Sequence, residues 1–162
     1  MKSSAFVVFV VMLFAAPVFA QDKGSSSADT NMEILMQKVK ADKKLLVASN
    51  MDLSDGEGKQ FWPLYDAYQK ELGQINERLV RTITDYADAY NAGKGTISNE
   101  TAKKLLNEVL AVESAEVKLK QAYAEKVGKV LPATKTARYI QIETKIRAVI
   151  KMELAKQIPL VY

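Results

Sequence analysis

One stretch, Leu53–Tyr90, constrains the fold of this chain more than any other. It opens Leu53-Ser54-Asp55-Gly56-Glu57 and then places Phe61, Tyr65, Tyr68, Leu72, Ile75, Leu79, Ile83, Tyr86 and Tyr90 at steps of three and four. Residues at those spacings share one face of an α-helix. A single amphipathic helix of roughly 55 Å is therefore expected, at 1.5 Å per residue. A stripe of that length must be covered by other helices, by a second copy of the chain or by a client. Ser54 is suited to the N-cap and Glu57, three residues on, completes a capping box. Gly56 and Gly58 weaken this first turn, so it depends on its cap. Pro63 lacks an N–H and is expected to bend the helix about two turns in. The aromatic residues Phe61, Trp62, Tyr65 and Tyr68 surround that point. They form either the packed end of a core or an aromatic lip that binds apolar segments.

The remaining sequence supplies partners for the stripe. A first helix is expected over Met32–Ser49, with Ile34, Leu35, Val39, Leu45 and Leu46 on one side. Its Lys38, Lys40, Lys43 and Lys44 form a basic cluster, either a solvated face or a contact for an acidic client or anionic lipid. Asn91–Gly95 reads as a turn. Ser98 then caps a third helix over Asn99–Val130, with Ile97 and Ala102 able to form a hydrophobic staple. Its stripe is Leu105, Val109, Val112, Glu116, Leu119, Tyr123, Val127 and Val130. Leu131-Pro132 ends it, because Pro disfavours helix in the residue before it and suits the start of the next helix. A fourth helix follows over Ala133–Gln157, with Ile140, Ile142, Ile146, Val149, Ile150 and Leu154. Two long helices joined by a short loop form an antiparallel hairpin. The expected fold is all-α: a long hairpin flanked by N- and C-terminal helices, about four in total, in one domain over 32–162.

Residues 1–20 read as a secretory signal peptide. Lys2 gives a basic start, Ala5–Ala16 is apolar, and Val18-Phe19-Ala20 offers small residues for cleavage after Ala20. The apolar run is shorter than the ~20 residues that span a bilayer. No Cys follows it to carry a lipid anchor, and no later segment reads as a span. Residues 21–31, QDKGSSSADTN, are expected to be a flexible leader. A periplasmic location follows as the expectation.

Composition narrows the chemistry. The chain has no Cys and no His. That excludes disulfides, Ser–His and Cys–His catalysis, and the Glu-x-x-His pairs of di-iron bundles. The formal charge of +4 is spread along the chain and does not form the concentrated patch that nucleic acid requires. Neither Gly-x-x-x-x-Gly-Lys nor Gly-x-Gly-x-x-Gly occurs, so no nucleotide loop is expected. No cofactor and no metal is expected. Glu113 and Glu116 lie one turn apart and could be read as catalytic acids or metal ligands. A carboxylate at a helix seam is more commonly paired. Arg138 and Glu143, set among apolar positions of the fourth helix, are candidates for that pairing. The apolar end Ile158-Pro159-Leu160-Val161-Tyr162 either docks back onto the bundle or is offered to a partner or protease.

Two helix starts resemble one another and a known family. Leu53-Ser54-Asp55-Gly56-Glu57 resembles the Leu-Thr-x-x-Gln motif of the periplasmic Spy/CpxP family, with Ser for Thr and Glu for Gln. Val130-Leu131-Pro132-Ala133-Thr134-Lys135-Thr136-Ala137-Arg138-Tyr139 resembles its second motif, which reads like Val-Leu-Thr-Pro-Glu-Gln-Arg-Ala-Arg-Phe. The motifs lie 78 positions apart and bracket the long hairpin, as in that family. The resemblance covers Leu53–Glu143. Phe61-Trp62-Pro63-Leu64-Tyr65 and the extended fourth helix depart from it. It implies an all-α hairpin, usually a homodimer, forming a thin cradle that binds unfolding clients without ATP, or acting in envelope-stress sensing. Relatives that bind zinc do so through His, which this chain lacks.

The function expected is ATP-independent binding of exposed apolar segments of unfolded or envelope proteins. Phe61, Trp62, Tyr65 and Tyr68 would supply apolar contact, and Lys38, Lys40, Lys43 and Lys44 the steering. Leu53, Ser54, Glu57, Leu131, Pro132 and Arg138 are the expected structural motif. The rival is a specific adaptor whose stripe is used in dimerisation or by one partner. An enzyme would have to rely on Glu113 and Glu116 alone, and none is expected.

Overall fold

The computed structural model describes residues 41–161. Every regular element among them is helical. Helix α1 covers 41–51, α2 Asp55–Ala92, α3 Asn99–Gly128 and α4 Ala133–Gln157. The expected signal peptide, leader and first part of the first helix, with Lys38 and Lys40, lie outside the described residues.

Helix α2 is continuous for 38 residues, and Pro63 is accommodated inside it. The capping box is formed at its start. The Ser54 backbone N–H donates to Glu57 Oε2 (2.8 Å), and the Glu57 N–H donates to Ser54 Oγ (3.4 Å). Before it, α1 runs two residues past its expected end and stops at Asp52, whose φ of +48° is left-handed. The α2–α3 turn needs two glycines. Gly95 has φ +103°, and a Cβ at Gly93 would lie 2.0 Å from the Thr96 carbonyl oxygen. Ser98 caps α3 by accepting from the Thr101 N–H (3.1 Å). Helix α3 ends two residues earlier than expected. Its last turn tightens through Lys129 N–H to Lys126 O and Val130 N–H to Val127 O, which swings Leu131 into the core.

The α2 stripe faces inward throughout. Phe61, Tyr65, Tyr68, Leu72, Ile83 and Tyr86 are buried, and Ile75, Leu79 and Tyr90 are half-buried. Helices α2 and α3 pack along their length as an antiparallel pair, and α4 packs on α3. Helix α4 runs parallel to α2 and reaches it through long side chains. Tyr139 meets Phe61 and Tyr68, Arg147 meets Asn76, and the segment after α4 meets Tyr86. Helix α1 runs antiparallel to α2, with Lys44 opposite Asp66 and Lys43 opposite Gln69. The main core sits at the end where α1, the α2 start and the α3–α4 turn converge. It contains Val47, Met51, Phe61, Tyr65, Tyr68, Leu72, Leu119, Tyr123, Val127, Leu131 and Tyr139. Each large side chain fully removed from water there contributes about 1.5–3 kcal/mol.

Candidate functional site

The aromatic residues near Pro63 are a core rather than an open lip. Phe61, Tyr65 and Tyr68 are buried, because α1 and α4 close over them. Tyr139 supplies the cover from α4, edge-on to Phe61 at 5.0 Å and to Tyr68 at 6.0 Å between ring centroids. Tyr68 in turn meets Tyr123 edge-on at 5.3 Å, an arrangement that aromatic quadrupoles favour. Burial, and then the Glu143 carboxylate, push the hydroxyls of Tyr65, Tyr68 and Tyr139 upward, so they remain protonated. Only Trp62 of the four expected contact residues stays partly exposed.

The two described lysines of the basic cluster are both engaged by side chains of other helices, Lys43 part-buried and Lys44 at the surface. Lys43 Nζ donates to Glu143 Oε2 and to Gln69 Oε1, both at 2.8 Å, and Gln69 Nε2 donates to Glu143 Oε1 at 2.8 Å. Glu143 is buried, so this closed triangle satisfies a charge that could not otherwise stand there. Lys44 Nζ bonds Asp66 at 2.8 Å and lies over the Trp62 and Tyr65 rings at 5.3 and 5.6 Å. Neither lysine projects freely toward a client. The exposed residues at this end are instead Leu45, at 67 %, and Leu46, at 47 %. Both were expected on the inward side. The inward side of α1 is set by Val47 and Met51, which leaves Leu45 and Leu46 off the buried face.

Glu116 is buried and paired, but Arg138 is not its partner. Arg138 is exposed, one residue away from the face of α4 that carries Tyr139, Glu143 and Arg147 at steps of four. Arg147 Nε donates to Glu116 Oε2 at 2.9 Å, and its Nη1 donates to Asn76 Oδ1 at 2.8 Å. Lys120 and Lys151 approach Glu116 at 3.5 and 3.8 Å, and Lys151 also pairs with Glu113 at 3.3 Å. Each Glu is thus committed to cations. Among the described residues no group of three carboxylate, His or Cys side chains comes together to hold a metal. Glu143 pairs instead with Lys43.

The two motif-like helix starts meet in space. Lys135 Nζ bonds Glu57 Oε2 at 2.7 Å and the Asp52 carbonyl at 2.6 Å. Lys135 first, and then the Ser54 backbone, hold the Glu57 carboxyl down at about 2. Leu53 packs against the core, Leu131 is buried within it, and Pro132 occupies the α4 N-cap without a side-chain bond. The capping position of one helix is therefore clasped by the first turn of another. The end of the chain is tied as well. The Tyr86 hydroxyl lies 3.0 and 3.2 Å from the Pro159 and Leu160 carbonyl oxygens, while the Leu160 and Val161 side chains stay exposed.

Compared with known proteins, the chain matches no family model, no curated sequence and no solved structure. No described helix is long and apolar enough to cross a membrane.

Proposed function

We propose that this chain is an exported, periplasmic chaperone-like protein that binds exposed apolar segments of unfolded or envelope proteins without ATP. The observation that carries the reading is the pair of exposed leucines on α1, Leu45 and Leu46, at the end where Trp62 remains half-exposed. Exposed aliphatic side chains at one end of a slender helical bundle suit weak binding of varied apolar segments. The resemblance of Leu53–Glu57 and Val130–Tyr139 to Spy/CpxP motifs supports the same class. So does the signal-like run over residues 1–20.

The test is aggregation of several chemically denatured clients with the chain from Gln21 onward at stoichiometric ratio. The expected result is suppression, reduced by L45E/L46E while the helical content is retained. No effect on any client overturns the reading. Crosslinking from a photoreactive residue at position 62 in the native envelope separates the adaptor alternative. Heterogeneous adducts indicate a chaperone, and one discrete band indicates an adaptor. The α2 stripe is buried within the fold, so an adaptor would have to offer its partner another face.

A further inference from the structure

A second exposed apolar surface lies on the opposite side of the bundle from α2, and client binding at α1 does not use it. On α3, Lys103, Leu106, Leu110 and Val117 recur at steps of three, four and seven, so they share one face. Leu106, Leu110 and Val117 are each more than half exposed. On α4, Lys145, Val149, Met152 and Lys156 recur at steps of four, three and four, and Val149 and Met152 are again more than half exposed. The seam between the two helices passes beside the α3 strip, where Lys151 bonds Glu113, which shares the face of Leu110 and Val117. Further along, the seam opens into a groove of about 520 Å³ lined by small residues, among them Ala124, Gly128 and Ala137.

The net charge of the α3–α4 pair is positive. Residues 99–157 carry 12 basic and 7 acidic side chains, whereas α2 carries 4 basic and 7 acidic. The net charges are therefore +5 and −3. Several acids of the α3–α4 pair are already neutralised: Glu116 by Arg147, Glu113 by Lys151, and Glu153 by Lys156. Lys103, Arg138 and Lys145 are exposed, and no ion pair forms at any of them among the described residues.

We propose that the outer face of α3 and α4 docks onto an anionic lipid bilayer. The aliphatic strip between Leu106 and Val117 is roughly 16 Å long. Unpaired cations stand on the same face, with stems long enough to reach headgroups while Leu, Val and Met enter the acyl boundary. An extended acidic peptide would need a trough for its side chains, but the Lys151–Glu113 pair closes the seam at this level. The acidic α2 side would face away from the bilayer, so the opposite net charges orient the bundle.

The test is co-sedimentation of the chain from Gln21 onward with phosphatidylcholine vesicles, with and without one-third phosphatidylglycerol. All of the described bundle lies in that chain, and the apolar run of residues 1–20 does not contribute. Binding is expected only to the anionic vesicles, with release by high salt. K103Q/K145Q should weaken it about twenty-fivefold, at roughly fivefold per cation. L110E/V117E should abolish it while circular dichroism stays unchanged. K59Q/K70Q, on α2, should leave it unaltered. Three results would overturn the proposal: no vesicle binding, equal binding to neutral vesicles, or indifference to both α3–α4 substitutions. Poly-glutamate binding without vesicle binding would assign the face to acidic proteins. A dimer lost in L110E/V117E, without vesicle binding, would assign it to a second copy. Both outcomes count against the bilayer. Aggregation suppression that survives L110E/V117E separates this result from the fate of the chaperone reading.

Discussion

The buried Glu116–Arg147 pair makes an asymmetric prediction. Glu116 and Arg147 side chains are 6 % and 9 % exposed, and their bond is 2.9 Å. Removing one partner of a buried pair costs about 3–5 kcal/mol, because the other charge is left uncompensated. The two halves are not equivalent here. E116L strands Arg147 with only the Asn76 carbonyl oxygen, and leaves Lys120 and Lys151 facing it without their shared carboxylate. It should cost the full ~3–5 kcal/mol. R147M leaves Glu116 with Lys120 and Lys151 still within 3.5 and 3.8 Å. Its loss should be about 1–3 kcal/mol, that of a buried polar group partly resatisfied. E116L/R147M replaces both charges by apolar groups and should return to within about 1 kcal/mol of the parent. Urea unfolding followed by circular dichroism measures all three, and near this chain length 1 kcal/mol moves Tm by about 3–5 °C. Equal losses for the two single variants, or an additive loss in the double variant, would refute the reasoning.

Glu57 gives a pH dependence with a definite sign. Its pKa is lowered to about 2 from 4.5, so the clasp with Lys135 stabilises fully above pH 4.5 and is lost as pH falls toward 2. The stability difference between parent and E57Q, measured by urea titration, should therefore shrink across that window and stay level above it. Y139A removes the ring that covers Phe61 and Tyr68 and should cost about 3–5 kcal/mol, measured by the same unfolding. G95A forces a Cβ into φ +103° and should cost about 1–2 kcal/mol, with the fold intact by circular dichroism. Y86F releases the Pro159 and Leu160 carbonyls and should speed proteolytic trimming after α4 without lowering the helical content.

The helices themselves were legible because their signals are local. The three- and four-residue rhythm of α2, the Ser54–Glu57 capping box and the Ser98 cap each act within a few residues of chain. The sequence left alternatives open where the deciding partner is remote. Phe61, Tyr65 and Tyr68 looked able to form an open lip because nothing local shows that Tyr139, more than 70 residues on, closes over them. Lys43 and Lys44 looked solvated because Glu143 and Asp66 lie on other helices. The clearest miss is the inward face of α4. Its isoleucines suggested an apolar stripe, yet the buried positions are Tyr139, Glu143 and Arg147. Their spacing of four was the available signal, masked because two of the three are charged.

That charged face divides the interior. The continuous apolar core runs from Val47 and Met51 to Leu72 and Leu119. Ile83, Tyr86, Leu105 and Val112 are buried but lie outside it. Between the two groups stands Arg147 with Glu116 and Asn76, one turn of α4 beyond Glu143, which meets Lys43 and Gln69 beside the core. Such polar pairs contribute little net stability, but they strongly penalise any register that separates the partners. Sliding helix α4 along α2 by one turn would separate Glu143 from Lys43 and Arg147 from Glu116. The polar pairs therefore set where α4 lies along the hairpin. By doing so they place Lys151 against Glu113 and Lys135 against the cap of α2.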